Sequence, residues 1–127
     1  MLIVDAHEDI AYNALSYNRD YLTSALHIRK IEQNSTTIQQ TGSACLGKQE
    51  WLSGGICIIF ATLFVPPFSH YEGYKENIYY KNSDQAHLLA LDQLNYYKTL
   101  NERDDFKIIY DQEDMKIVLD SWNDKST

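Results

Sequence analysis

The chain has 127 residues, enough for one domain and too few for a complete (β/α)8 barrel of roughly 250. A hydrophobic content of 44% belongs to a folded chain and not a disordered one. A formal net charge of −7 disfavours nucleic-acid binding, and no basic run marks a membrane surface, since Arg29-Lys30 is the sole adjacent basic pair.

Leu2 to Ala6 reads as a first strand, apolar except for Asp5, as buried parallel strands are. It runs into His7-Glu8-Asp9. Side chains alternate across a strand, so His7 and Asp9 share one side and Glu8 takes the other. Residues 10–33 have mixed helical character, interrupted around Asn18-Arg19-Asp20, with a helix expected from about Tyr21 to Gln33. Residues 34–50 are small and polar and read as a long connection.

Gly54-Gly55 leads into the strongest strand, Ile56 to Val65. Its β-branched and aromatic residues fill both faces, so it is expected to be central and buried on both sides. Pro66-Pro67 ends it. A Tyr-rich loop over 68–82 carries Tyr71, Tyr74, Tyr79 and Tyr80, which suit either a ligand pocket or the flank of a neighbouring element. Ser83 or Asp84 caps a helix running to about Arg103, with Ala90/Leu91, Leu94, Tyr97 and Leu100 as its apolar stripe. Phe106 to Tyr110 reads as a short strand-like piece. Asp111 caps a last helix bearing Met115, Val118, Leu119 and Trp122 at helical spacing. This alternation of strand and helix predicts an α/β fold with a parallel sheet and crossover helices. No linker divides the chain, so residues 1–127 are expected to form a single partial domain.

Two cysteines, Cys45 and Cys57, form no CxxC, and Cys57 lies in an apolar run as a small hydrophobe. Asp5 and Glu8 occupy the place of a signal peptide's basic and apolar regions, and no stretch approaches the ~18 apolar residues of a membrane span. A reduced, cytoplasmic setting is the expectation. Asn34-Ser35-Thr36 matches a glycosylation sequon, which means nothing without a secretory signal.

The chemistry concentrates at His7 and Asp9. A neutral imidazole and a carboxylate on one side of a strand's C-terminal end suit a divalent ion such as zinc. Such an ion lowers the pKa of bound water and polarises a carbonyl, which serves amide hydrolysis. The competing reading is a His and an Asp hydrogen-bonded to loop backbone. His27, His70 and His87 lie in separate elements and read as surface or capping residues. No Gly-rich phosphate loop, Gly-x-Ser-x-Gly elbow or local Cys/His pair is present.

Several segments together resemble one family. Leu2–Asp9 with Ile10-Ala11-Tyr12-Asn13-Ala14-Leu15, then Gly54-Gly55 leading into Phe60-Ala61-Thr62-Leu63-Phe64-Val65-Pro66, resemble the N-terminal part of the membrane (renal-type) dipeptidases. These are metallopeptidases of the amidohydrolase superfamily. The family opens with a strand carrying Asp-x-His-x-Asp, matched here by Asp5, His7 and Asp9. The segment Ala86–Leu100 resembles the family's second barrel helix.

The resemblance implies a (β/α)8 TIM barrel with a two-metal centre, usually zinc, that cleaves dipeptides. It covers nearly all of this chain but only the first third of a family member. His7 and Asp9 match the first two metal ligands. The bridging Glu, two further His ligands and the catalytic and substrate-gripping residues are expected beyond Thr127. On this reading the chain is an N-terminal fragment, the first βα units of an incomplete barrel, and inactive toward dipeptides by itself. Its partner is a dipeptide substrate, with homo-oligomerisation left open and no nucleic acid or membrane. A different class remains alongside it: a non-catalytic α/β module that binds a partner through unpaired strand edges.

Overall fold

The computed structural model describes residues 1–70, 78–103 and 106–125. It is a mixed α/β structure with one two-stranded parallel sheet. Strand β1 (Ile3–Glu8) is followed by four helices, α1 (Ile10–Tyr17), α2 (Ala25–Glu32), α3 (Thr37–Thr41) and α4 (Lys48–Gly54). Strand β2 (Ile56–Ala61) then lies parallel to β1, and helices α5 (Ser83–Asn101) and α6 (Gln112–Lys125) follow.

Local signals account for most boundaries. Asn18 adopts a left-handed conformation (φ 55°) and stops α1, the interruption expected there. Ser24 accepts the His27 N–H and starts α2, so this helix begins at Ala25 and not at Tyr21. Residues 34–50, expected as a connection, contain α3 and the start of α4. Gly55 has φ 81° and closes α4 by donating its N–H to Leu52. A Cβ on Gly55 would lie 2.6 Å from the Met1 carbonyl oxygen, so the turn into β2 needs glycine for two reasons. Asn82, one residue before the expected cap, accepts the Gln85 N–H and opens α5. Asp111 accepts the Asp114 N–H at 2.9 Å and caps α6 as expected.

The core is built mainly from the helices and turns between β1 and β2. Ile10, Ala14, Tyr21, Ile28, Ala44 and Trp51 are buried together, with Ile56, Ile59, Tyr97 and Phe106 packed against them. Trp51 of α4 stacks on Tyr21 at 5.9 Å between centroids and meets Phe106 edge-on at 6.3 Å. Arg19 and Glu32 form a buried bidentate pair at 2.8 and 3.0 Å. The same guanidinium donates to Thr41 Oγ1 and the Gly42 carbonyl, tying the turn after α1 to α2 and α3.

The second strand departs from expectation in length and burial. It ends at Ala61 instead of Val65, because β1 ends at Glu8 and offers no further backbone to pair with. The last link is the Thr62 N–H to the Glu8 carbonyl at 3.1 Å. Beyond it, the carboxamide of Gln93 takes both the N–H and the C=O of Phe64 and stands in for a strand. Gln93 is fully buried within the expected stripe of α5, where Ala90, Leu94, Tyr97 and Leu100 are half-buried and Leu91 is exposed. Among the described residues β2 pairs with β1 alone, and Phe60 is 63% exposed, so β2 is an edge and not a centre. Cys57 is accordingly half-buried, and Cys45 is exposed; both are free thiols. Residues 106–110 form no strand. The Phe106 N–H goes to the Arg103 carbonyl, and two further amides go to side chains, Ile108 to Asn101 at 2.6 Å and Tyr110 to Asp114 at 3.1 Å. On α6 Met115, Val118, Leu119 and Trp122 are half-buried together, as their spacing predicts. No helix among the described residues is long and apolar enough to cross a membrane.

Removing one partner of a buried ion pair leaves the other charge uncompensated. Glu32→Ala is therefore expected to cost about 3–5 kcal/mol of unfolding free energy in urea denaturation. Lys30→Ala, on the exposed face of the same helix, is expected to stay within about 0.5 kcal/mol.

Candidate functional site

The carboxyl ends of β1 and β2 lie side by side, Glu8 opposite Ala61. Ligand sites of parallel α/β sheets form at such ends. The pairing register slips between Asp5 and Glu8, so β1 carries one more residue than β2 over this stretch. A bulge of this kind re-aims the side chains around it. Asp5 Oδ1 accepts the His7 backbone N–H at 3.0 Å within it.

The alternation expected for residues 7–9 holds. Glu8 is buried toward the helices, where its Oε1 accepts the Trp51 indole N–H at 3.0 Å. His7 is exposed, and its Nε2 stands 3.5 Å from Asp9 Oδ1. Two donors of one tetrahedral ion, each about 2.0–2.1 Å from it, stand about 3.4 Å apart. The observed separation therefore fits two ligands of one zinc-sized ion, and also fits a plain imidazole–carboxylate contact. Among the described residues no group of three or more His, Cys, Asp or Glu side chains converges.

Two residues that sequence reasoning left outside the site belong to it. Thr62, just past β2, donates its hydroxyl to Asp9 Oδ1. Tyr97 of α5 donates its hydroxyl to the Thr62 carbonyl at 2.9 Å and accepts the Ala11 N–H at 3.1 Å. Thr62 is the first polar residue in an apolar run, and Tyr97 is a tyrosine in an otherwise aliphatic stripe; those were the available signals. Burial pushes the Tyr97 phenol above its ordinary pKa, so it remains a donor.

His27 and His87 are exposed on α2 and α5, as surface residues are. Of the Tyr-rich loop, Tyr71 and Tyr74 lie outside the described residues. Tyr80 pairs with the Pro66–Phe68 backbone, and Tyr79 packs on Phe68 at 5.1 Å. Tyr79 also borders a cavity of about 380 Å³ with Lys81, Gln85, Leu88 and Leu89, against α5. A second cavity of about 410 Å³, beside Leu15, Leu89 and Tyr96, likewise excludes His7 and Asp9.

Burial pushes the Glu8 carboxyl up to about 7; the Trp51 hydrogen bond opposes this and the nearby Asp5 carboxylate adds to it. The unfolded chain ionises this group near 4.5, while the native state keeps its proton to about 7. The native state thus binds more protons across that window, and stability falls as pH rises through it. The unfolding free energy is expected to drop by about 3 kcal/mol at most between pH 5 and pH 8. Urea titrations at several pH values measure the slope, and Glu8→Gln, which keeps the acceptor for Trp51, is expected to flatten it.

Comparison with protein-family models, with curated proteins and with solved structures finds no match.

Proposed function

We propose that the chain forms the first βα units of a metal-dependent hydrolase barrel, in which His7 and Asp9 are half of a zinc centre acting on dipeptides. The observation that carries this reading is the His7–Asp9 pair itself, 3.5 Å apart at the carboxyl end of a parallel strand pair. The resemblance of Asp5, His7 and Asp9 to the opening motif of the renal-type dipeptidases supplies the substrate class. Zinc held there would activate a water for attack on an amide carbonyl. The chain's own residues supply the rest. His7 offers an exposed imidazole nitrogen, Asp9 a carboxylate, and Glu8 anchors both from the opposite side of the strand.

The edge of β2 supports incompleteness as the reason for so few ligands. Phe60 on β2 and Leu63 and Phe64 just beyond it are exposed, a surface that the rest of a barrel would cover. The same edge favours the second reading, a non-catalytic module that docks a partner strand.

Zinc titration by calorimetry separates the two. One zinc per chain is expected, much weaker than a four-ligand site, and lost in both His7→Ala and Asp9→Ala. No turnover of dipeptides is expected from the chain alone. Equal zinc affinity in wild type and both variants would overturn the metal reading and leave the docking module.

A further inference from the structure

Asp9 occupies the N-cap position of α1 but does not cap it. An aspartate there ordinarily accepts the N–H of the second or third helical residue, which are Ala11 and Tyr12. Here the Ala11 N–H goes to the Tyr97 hydroxyl, 86 residues away in sequence. The Asp9 carboxylate is turned instead toward Thr62 Oγ1 and His7 Nε2. A local, readily formed hydrogen bond has been replaced by a long-range one. The effect is to release a carboxylate that the helix would otherwise use.

We propose that Tyr97 and Thr62 are positioning residues for Asp9: Tyr97 caps α1 in its place, and Thr62 holds the freed carboxylate facing His7. The two act as one unit, because the Tyr97 hydroxyl also binds the Thr62 carbonyl at 2.9 Å. Its single proton goes to Thr62 and its lone pair to Ala11, so the phenol is used in both directions. Thr62 is fixed further by its backbone N–H, which donates to the Glu8 carbonyl at 3.1 Å. The hydroxyl that reaches Asp9 therefore comes from a residue anchored at both main-chain groups. Partners of this kind orient metal-ligating carboxylates. The role in metal binding rests on the proposed zinc reading; the orientation of Asp9 does not.

The test uses the full chain in four forms: wild type, Tyr97→Phe, Thr62→Val and Thr62→Ser. Tyr97→Phe keeps the ring in the core, and Thr62→Ser keeps the hydroxyl. In metal-free protein, three-bond couplings measured by NMR report the Asp9 χ1 rotamer, and hydrogen exchange reports the Ala11 amide. Wild type and Thr62→Ser are expected to hold one Asp9 rotamer with a protected Ala11 amide. Thr62→Val is expected to average the rotamer. Tyr97→Phe is expected to shift Asp9 into the capping rotamer. In zinc titration, Tyr97→Phe and Thr62→Val are expected to lose about 10- to 100-fold in affinity, with Thr62→Ser restoring it. An Asp9 rotamer unchanged in both Tyr97→Phe and Thr62→Val overturns the proposal, whatever the zinc affinity. Rotamer shifts as expected in a wild type that binds no zinc support the positioning and overturn the metal reading instead.

Discussion

The indole of Trp51 joins the helical layer to the sheet. It stacks on Tyr21, meets Phe106 edge-on and donates its N–H to Glu8 at the end of β1. A buried carboxyl calls for a donor and a buried indole N–H for an acceptor, and Glu8 Oε1 and the indole N–H supply each other. The placement of His7 and Asp9 follows from this contact. With Glu8 held inward, strand alternation turns its two neighbours to the opposite side, where both remain accessible. The exposed site is thus oriented by a buried interaction on the other face.

Helix α5 compensates for the short sheet. A two-stranded parallel sheet leaves backbone groups beyond its end without ladder partners. Gln93 takes both groups of Phe64, Tyr97 takes the Thr62 carbonyl, and Asn101 takes the Ile108 amide. These three side chains recur along α5 at spacings of four residues, which places them on one face of the helix. On that face they are interleaved with the half-buried Ala90, Leu94 and Leu100. The partners of the three polar side chains are backbone groups, and satisfying them outweighs burying another leucine.

The elements with strong local signals were legible in advance. The apolar run of β1, the start of β2 at Ile56 and the stripe of α6 all depend on short-range pattern. So did the opposite orientations of Glu8 and of His7 with Asp9. The helices α3 and α4 were missed because residues 34–50 are small and polar, and α4 is held by the long-range contacts of one tryptophan. The length of β2 was overestimated because Thr62 to Val65 have strand propensity but lack a strand to pair with. Propensity describes what a segment can adopt; pairing depends on where the neighbouring strand ends.

The sequence by itself determined that a parallel strand pair would form and that His7 and Asp9 would lie at its carboxyl end on the side opposite Glu8, because alternation along a strand is a local property of the backbone. Only the tertiary structure decided what Asp9 does there. As the N-cap of α1 it had an ordinary local use, and its release depends on Tyr97 arriving from α5 to take the Ala11 amide. A contact between residues 86 apart leaves no periodic trace in the chain. It exists because packing α5 on α1 brings one phenolic oxygen within reach of both a helix N-terminus and the end of β2.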